Sequence, residues 1–291
     1  MGLTTAIVTP NFNGGRFLAK TMDTVISSDI DGLQYVVVDG GSTDESIAII
    51  DSRRERLFHV FSEPDNGIYD ALNKGFSVTS SDIMGWINSG DILFPDSLAI
   101  VQEVFSIYPE IEWLTSRVTT MLDHRGRIAF QAIHYGFERD GFLRGDTLPG
   151  FGTGPMMAYI QQESTFWRRS LWERTGGRLN DRLRLAADFE LWARFFDVAD
   201  LWSISAPLGA FRKHAGQLTE VYQSVYLAEA KCVLEARGGR PRTTVGGALR
   251  LALRRALPRS LRPAAHRIGL FHTAPILEYD FELQSWRRCS L

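Results

Sequence analysis

Residues 33–44 read Leu33-Gln-Tyr-Val-Val-Val-Asp-Gly-Gly-Ser-Thr-Asp44 and pass within one short stretch from an apolar run to a polar loop. The run Leu33–Val38 predicts a buried strand. Ser42 or Thr43 as N-cap, followed by the acidic Asp44 and Glu45, predicts a helix over Thr43–Arg53. A strand that leads through a short loop into a helix is the building unit of a parallel α/β sheet.

The same alternation continues on both sides of this stretch. Further strands are predicted at Leu3–Thr9, Leu57–Phe61 and Ile83–Ile87, and helices at Arg16–Ile26, Ile68–Val78 and Pro95–Tyr108. This spacing predicts a doubly wound, mostly parallel sheet, in which ligands bind at the carboxyl ends of the strands. Beyond residue 160 we predict helices at Gln162–Thr175, Ala186–Phe196 and Tyr222–Ala236, and a surface loop at Gly145–Gly154.

Four polar loops follow the predicted strands and should meet at one edge of the sheet. They are Thr9–Asn13, Asp39–Asp44, Glu63–Gly67 and Asn88–Asp91. We expect a binding site there. The first strand is not followed by a G-x-G-x-x-G fingerprint, and no P-loop pattern is present, so a nicotinamide or flavin cofactor is disfavoured.

The composition is that of a globular protein. Hydrophobic residues make up 44% and charged residues 23% of the 291, which excludes a disordered, collagen-like or disulfide-scaffold chain. Cys232 and Cys289 lie far apart without metal-type spacing. The N-terminus resembles no signal peptide, and no apolar run reaches the roughly 20 residues of a membrane span, so we expect a cytoplasmic protein.

Charge is divided unevenly along the chain. Residues 237–291 carry a net charge of +8 and the first 236 residues −10. Within the basic part, Val245–Leu257 places leucines four apart with arginines beside them, which predicts a basic amphipathic helix. It could bind the anionic inner face of the plasma membrane or pack on the acidic body; binding to nucleic acid is disfavoured because no motif accompanies the charge. We therefore divide the chain into 1–220 and a helical, basic extension, 221–291.

Six motifs, in order, carry a family resemblance. They are Ile7-Val-Thr-Pro-Asn-Phe-Asn-Gly-Gly15, Val36-Val-Val-Asp-Gly-Gly-Ser-Thr-Asp44, Ser62-Glu-Pro-Asp-Asn-Gly-Ile-Tyr-Asp-Ala-Leu-Asn-Lys-Gly75, Gly85-Trp-Ile-Asn-Ser-Gly-Asp-Ile-Leu-Phe-Pro95, Gln162-Glu-Ser-Thr-Phe-Trp-Arg-Arg169 and Ala187-Asp-Phe-Glu-Leu-Trp192. The sequence resembles glycosyltransferase family 2 enzymes of GT-A fold, most of all bacterial exopolysaccharide, colanic acid and O-antigen sugar transferases. The resemblance implies a Rossmann-like sheet flanked by helices. It also implies inverting transfer of a sugar from a nucleotide-sugar donor to a glycan acceptor, in our interpretation a lipid-linked one.

The resemblance also implies which residues bind the donor. Asp39 would accept a hydrogen bond from a uracil-type N–H or a ribose hydroxyl; the alternative is a turn former before Gly40-Gly41. The other expected donor contacts are the base-lining Thr9 and Pro10, Asn11, the nucleoside- and loop-ordering Asp65 and Asn73, the phosphate-proximal Lys74, and Asn88.

A divalent metal, Mn²⁺ or Mg²⁺, is expected at Asn88-Ser-Gly-Asp91, where the family has its Asp-x-Asp motif. Hard cations take oxygen ligands and neutralise a diphosphate leaving group. Only Asp91 is acidic here, so it is the predicted metal ligand, with His214 of Arg212-Lys-His214 as a second. The alternatives are a helix cap for Asp91 and a structural role for His214.

Asp188 stands where the family has its general base, in Ala187-Asp188 instead of the usual Glu-Asp. An inverting transferase needs one carboxylate to take the proton of the attacking hydroxyl. Glu190 is the second choice, and a solvated surface charge is the alternative for Asp188. Gln162 and Trp167 are predicted to line the acceptor pocket, and Phe166 and Trp192 to lie in the core.

Two other functions remain open at this point. A sugar-1-phosphate nucleotidyltransferase would also be an α/β nucleotide-binding protein, but Thr9–Arg16 departs from its phosphate loop. A non-catalytic nucleotide- or carbohydrate-binding scaffold would account for the reduced metal motif, whereas the presence of both Asp91 and Asp188 favours an enzyme.

Overall fold

The computed structural model describes residues 2–148, 159–214, 222–239, 256 and 274–289 of the 291. The predicted loop at Gly145–Gly154 lies partly outside these residues. The predicted basic helix at Val245–Leu257 lies outside them except for residue 256.

Strands and helices alternate as predicted over the first hundred residues. The described strands are β1 (Thr5–Asn11), β2 (Leu33–Asp39), β3 (His59–Ser62), β4 (Ile83–Trp86), β5 (Ile92–Leu93), β6 (Trp113–Ser116), β7 (Val118–Leu122), β8 (Ile128–Ile133), β9 (Thr165–Arg168), β10 (Leu201–Ile204), β11 (Gly209–Arg212), β12 (Ile276–Asp280) and β13 (Ser285–Arg288). The described α-helices are α1 (Gly15–Ile26), α2 (Ser46–Asp51), α3 (Ile68–Ser77), α4 (Ser97–Ile107), α5 (Arg139–Leu143), α6 (Arg169–Arg174), α7 (Ala187–Phe196) and α8 (Gln223–Glu235), with 3-10 turns at Arg54–Arg56 and Gln162–Ser164.

Helix α2 begins later than the N-cap pattern predicted. The Asp44 carboxylate accepts the backbone N–H of Ser46 at 3.0 Å and that of Gly15 at 2.9 Å. It therefore caps the starts of both α1 and α2, and residues 43–45 belong to the loop.

The central sheet of the described residues has nine strands in the order β13-β12-β10-β6-β9-β4-β1-β2-β3. Strands β4, β1, β2 and β3 run parallel to one another, as do β6, β10 and β12. Strand β9 lies between the two groups and is antiparallel to both of its neighbours, β4 and β6. The predicted mostly parallel, helix-flanked sheet is confirmed.

The helix predicted at Gln162–Thr175 is wrong. The segment forms a 3-10 turn, then β9, and only then the short helix α6. Thr165, Phe166 and Trp167 are β-branched or aromatic and wholly or almost wholly buried, and their backbone groups pair with two strands at once. This pairing inside the sheet outweighs the apolar spacing that resembled a helix.

The C-terminal part is only partly helical. Helix α8 confirms the helix predicted at Tyr222–Ala236, but residues 276–288 form a hairpin, β12–β13, where we predicted a helical extension. The hairpin extends the central sheet because β12 pairs in parallel with β10. The domain boundary at residue 220 falls outside the described residues and stays a prediction.

A smaller sheet, in the order β5-β11-β7-β8, brings two distant loops together. Strand β5 begins directly after Asp91 and pairs antiparallel with β11, which ends two residues before His214. Helices cover both faces of the central sheet, and a cluster of buried aromatic rings fills one side. Phe166 and Trp192 are in the core as predicted. Trp167 is wholly buried as well, so the prediction that it lines a pocket is wrong.

Candidate functional site

The four polar loops meet at one edge of the sheet because the parallel strands end in register. Asn11 at the end of β1 lies opposite Asp39 at the end of β2, and Asp39 lies opposite Ser62 at the end of β3. The loop that contains Asn88 follows β4, the other neighbour of β1. The topology therefore places the predicted donor loops side by side.

Asp39 is wholly buried and organises its loop. Its Oδ1 accepts hydrogen bonds from the Asn11 amide at 2.7 Å and the Ser42 hydroxyl at 2.6 Å. Its Oδ2 accepts the backbone N–H groups of Gly41 at 3.2 Å and Ser42 at 2.9 Å. These four donors fit the turn-forming role. A direct contact between Asp39 and a nucleoside stays a prediction.

Asp65 lies against the Asp39 loop. A Cβ placed on Gly40 would lie 2.6 Å from Asp65 Oδ2, so any other residue at position 40 would require this carboxylate to move. The other oxygen, Oδ1, accepts the backbone N–H of Gly67 at 2.8 Å. The loops after β2 and β3 are thus joined by the close approach of one side chain to one glycine.

The remaining donor-site candidates already have partners in the protein. The buried hydroxyl of Thr9 shares a hydrogen bond with that of Tyr35 at 3.0 Å, and Pro10 is buried beside it. The Asn73 amide donates to the Leu179 carbonyl at 3.0 Å and accepts its N–H at 2.8 Å, which joins α3 to the segment before α7; the predicted ordering of the nucleoside loop stays a prediction. The ammonium of Lys74 lies 3.4 Å from Glu63 and 3.5 Å from Asp70. Contacts of these side chains with a nucleotide stay predictions.

Asp91 lies at the junction of the two sheets and is almost completely buried. Its Oδ1 accepts the backbone N–H of Arg212 at 2.9 Å, and its Oδ2 accepts the Asn88 amide at 3.3 Å. The Arg212 guanidinium also donates to the Gly90 carbonyl at 2.7 Å. Backbone and side chain of Arg212 together hold the loop from Asn88 to Asp91.

The environment of Asp91 fits a cation. Burial raises the pKa of Asp91 to about 7, against the opposing effect of the Arg212 N–H, so its charged form lacks full compensation. Asn88 Oδ1 is buried and has no hydrogen-bond partner among the described residues. His214 lies near Gly90, the residue before Asp91, since a Cβ built on Gly90 would be 3.8 Å from the His214 Nε2. Carboxylate, amide oxygen and imidazole are all metal ligands.

These groups do not form a complete protein cage. Within the described ranges, no cluster of three or more His, Cys, Asp or Glu side chains could hold a metal ion. A divalent ion at Asp91 would therefore need ligands from a bound diphosphate or from water, as Mg²⁺ sites in nucleotide-binding proteins often have.

Asp188 lies in the first turn of α7 and is partly buried. Its Oδ1 accepts the backbone N–H of Phe189 at 2.7 Å. Burial, with a smaller contribution from the charge of Glu229, raises the pKa of Asp188 to about 6, despite this hydrogen bond. A carboxyl group with a pKa in this range suits proton transfer near neutral pH. Glu190 is instead paired with Arg194 at 3.0 Å and with Arg237 at 3.8 Å.

Glu163 is a buried carboxyl group that the sequence analysis did not single out, although it lies within one of the quoted motifs. Burial raises its pKa well above the usual range, and the charges of Asp91 and Asp188 add to the increase. Glu163 is therefore close enough to the predicted metal ligand and to the predicted base to sense the charge of both. Its Oε1 accepts the Gln161 amide at 2.6 Å. Its neighbour Gln162 bonds to the Trp86 carbonyl and the Asn88 amide.

The match to a family model decides the classification. Residues 6–162, more than half of the chain, match the model of glycosyl transferase family 2. The chain belongs to this family. Its membership confirms the resemblance seen in the motifs, and it separates the chain from the nucleotidyltransferase alternative.

Curated relatives of this glycosyl transferase family 2 chain are also described as glycosyltransferases. One of Mycobacterium tuberculosis (strain CDC 1551 / Oshkosh), called uncharacterized, is 32% identical over 35% of this chain and 40% of its own length. One of Rickettsia prowazekii, also called uncharacterized, is 20% identical over 74% of this chain and 65% of its own. The chain thus spans less than two thirds of these two. A PGL/p-HBAD biosynthesis glycosyltransferase of Mycobacterium bovis is 26% identical over 66% of this chain and 69% of its own length.

Solved structures show the same fold. TarS 1-349 of S. aureus in complex with UDP-GlcNAc superposes with a TM-score of 0.63 and 13% identity, over 93% of this chain and 77% of that one. The mannosyltransferase PcManGT of Pyrobaculum calidifontis, in complex with GDP-Man and Mn²⁺, has a TM-score of 0.56 and 15% identity. The match covers 94% of this chain and 82% of that one. None of the described helices combines the length and the hydropathy that crossing a bilayer requires.

Proposed function

We propose that this chain is an inverting glycosyltransferase that transfers a sugar from a nucleotide-sugar donor to a glycan acceptor. The observation that carries the proposal is a group of three acidic side chains near the ends of the donor-loop strands: Asp91 and Glu163 are buried, Asp188 is partly buried, and Glu163 senses the charge of the other two. Buried acidic groups with raised pKa values at a strand-end cleft are typical of catalytic sites.

Asp188 is the proposed general base. Its ionised carboxylate takes the proton of the acceptor hydroxyl while the hydroxyl oxygen forms a bond to the anomeric carbon. The bond from that carbon to the diphosphate breaks on the opposite face, and the nucleoside diphosphate leaves with the electron pair. The pairing of Glu190 with Arg194 and Arg237 supports Asp188 as the base, because these ion pairs already engage the Glu190 carboxylate.

The donor is proposed to bind along the ends of β1, β2 and β4, with contacts from Thr9, Pro10, Asn11, Asp39, Asp65, Asn73, Lys74 and Asn88. The loops there are held by internal hydrogen bonds, which reduces the ordering cost of binding. The UDP-GlcNAc and GDP-Man complexes of the structural neighbours support a nucleotide sugar as the donor class.

A divalent cation, Mn²⁺ or Mg²⁺, is proposed to be held by Asp91, the unpartnered Asn88 Oδ1 and His214. When bound, it supplies positive charge to the diphosphate leaving group. The Arg212 N–H and guanidinium keep the Asn88–Asp91 loop in place for it.

The acceptor is proposed to be a lipid-linked glycan of cell-surface polysaccharide synthesis, a role that the family resemblance supports. Residues 221–291 are proposed to form the basic extension of the catalytic body, residues 1–220. The arginines of this extension would give the protein peripheral contact with the inner face of the plasma membrane.

A donor screen tests the proposal. The full chain is incubated with a panel of UDP-, GDP- and dTDP-sugars, Mn²⁺ and a lipid-linked acceptor, and release of nucleoside diphosphate is measured. We expect turnover with one donor and a loss of about 10²–10⁴-fold in Asp188→Asn, with donor affinity retained, because only proton transfer is removed.

Asp51→Asn serves as the matched control. Asp51 is exposed on α2, and its ion pair with Arg54 is long, at 3.9 Å, and solvent-exposed. Tight nucleotide binding without release from any donor would favour a non-catalytic scaffold. Turnover close to wild type in Asp188→Asn would contradict the assignment of the base.

A further inference from the structure

Helix α7, which begins directly before Asp188, lacks a cap of its own. Its N-cap residue is Ala186, whose methyl group cannot accept a hydrogen bond, and Leu185 and Ala187 on either side are equally apolar. The first backbone N–H groups of a helix have no partner within the helix and need acceptors from elsewhere.

Glu229 of α8 supplies acceptors for the N-cap residue of α7 and for the two residues before it. Its Oε1 accepts the backbone N–H of Arg184 at 2.8 Å, and its Oε2 accepts those of Leu185 at 2.9 Å and Ala186 at 3.0 Å. On α3, burial raises the pKa of the Tyr69 hydroxyl, and the backbone amides of the next two residues, Ala187 and Asp188, oppose this rise. Helix α8 thus satisfies three consecutive backbone amides, and the last of them, Ala186, lies two residues before the proposed base.

Helix α8 is held along α7 at both ends. Arg237, just after α8, lies 3.0 Å from Asp197, just after α7, and the Arg184 guanidinium stacks 4.2 Å from the Tyr222 ring centre. The negative Glu229 therefore lies at the positive end of α7, and the positive Arg237 at its negative end. Both placements stabilise a helix.

We propose that Glu229 is a positioning residue, which fixes the start of α7 and thereby holds the Asp188 carboxylate where it meets the acceptor hydroxyl. The inference rests on the proposed function of Asp188 as base. It makes α8, which we had assigned to the extension 221–291, a working part of the catalytic site.

Glu229 acts on Asp188 by charge as well as by geometry. The groups that face Asp188 or sense its charge are Glu229 and Tyr226 of α8, Tyr69 of α3 and Glu163 of the 3-10 turn. Burial is the main cause of the raised pKa of Asp188, and the negative charge of Glu229 adds to it. Loss of its negative charge should therefore shift the acid limb of the kcat–pH profile to lower pH, which a purely structural role would not do.

Two variants separate geometry from charge. Glu229→Ala removes the acceptor, and we expect kcat to fall about ten- to hundredfold at unchanged donor KM, because small displacements of a catalytic group are costly. Glu229→Gln keeps an oxygen for the Leu185 and Ala186 amides but loses the charge. We expect it to recover most of kcat while the acid limb moves to lower pH. Glu235→Ala is the control. Glu235 is exposed on the same helix, and its ion pair with Lys231 is long, at 3.8 Å, and solvent-exposed.

Asp188→Asn is assayed in the same series, so that the two hypotheses can fail separately. If Asp188→Asn loses turnover while Glu229→Ala keeps wild-type kcat, the positioning role is wrong and the base assignment stands. If Asp188→Asn keeps its turnover, both are wrong. Should Glu229→Ala not fold, the pH profile of Glu229→Gln decides, and an unchanged acid limb contradicts the proposal.

Discussion

Asp39 is wholly buried and Asp188 partly buried, and the two carboxyl groups have opposite surroundings. Asp39 accepts four hydrogen bonds from its own loop and that of Asn11, at 2.6–3.2 Å. Asp188 accepts one from the N–H of Phe189, and the charge of Glu229 opposes its ionised form. The first carboxylate gives the donor loops their shape, whereas the second carries a charge that the fold does not fully compensate.

The comparison indicates that Asp39 stabilises the fold, whereas Asp188 is the reactive carboxyl group. Charge-assisted hydrogen bonds to Asp39 stabilise the folded loop. The raised pKa of Asp188 means that ionising it costs folding free energy, as is common for groups that have to exchange protons. The same substitution, Asp to Asn, should therefore have opposite effects on stability in the two regions.

The largest expected effect is the pH dependence of turnover. Asp188 must be deprotonated to act as a base, so kcat should fall about tenfold for each pH unit below about 6. The assay is run at saturating donor and Mn²⁺, because the pKa of Asp91 is itself raised to about 7 and a bound cation keeps this carboxylate ionised. A kcat that does not change from pH 7 to pH 5 would contradict the role of Asp188 as a base with a raised pKa.

The next effect is the stability of Asp39→Asn. The amide replaces charge-assisted hydrogen bonds by weaker neutral ones and directs an NH₂ group at a donor, so the free energy of unfolding should fall by about 1–2 kcal/mol. Urea denaturation at pH 8 measures it, with the exposed Asp51→Asn as control. No difference between the two variants would show that the Asp39 network contributes little to folding.

The smallest effect is a gain in stability for Asp188→Asn. The folded-state pKa of about 6 exceeds the usual value of 3.8, so wild-type stability contributed by this group falls as pH rises from about 4 through 6. The neutral amide avoids this loss, and its Tm should exceed that of wild type at pH 8 and approach it at pH 4. The gain is at most about 1.4 kcal/mol per unit of pKa shift, and less here because Asp188 is partly exposed. A Tm below wild type at pH 8 would contradict the interpretation.

Much of the N-terminal half could be predicted from periodicity. The apolar runs of β1, β2 and β4 and the stripe of Leu18, Met22 and Val25 on α1 reflect burial directly. Strand β9 could not, because its pairing with β4 and β6 involves residues distant in sequence. The hairpin β12–β13 was missed for the same reason, since its place beside β10 is decided by tertiary contact.

Some residues of the candidate site could likewise be predicted from the sequence, and others could not. Asp39, Asp91 and Asp188 stand in short motifs and were identified from them. Glu163 could have been noticed, because it is an acidic residue inside one of the six quoted motifs. Glu229 had no such signal: it lies in a helix with no motif, and only the three-dimensional structure shows that it accepts amides 43–45 residues earlier in the chain.

Strand β9 has a consequence for the order in which the protein is assembled. The strands β1–β4 and the strand β6 have no direct pairing with each other in the described sheet and are joined through β9. During synthesis, the first half of the sheet therefore ends in an open strand edge at β4 until residue 168 has left the ribosome. An open edge of this kind is prone to pair with other chains. Truncation before Thr165 should leave a protein that aggregates, and the emerging chain would depend on chaperones most at this stage.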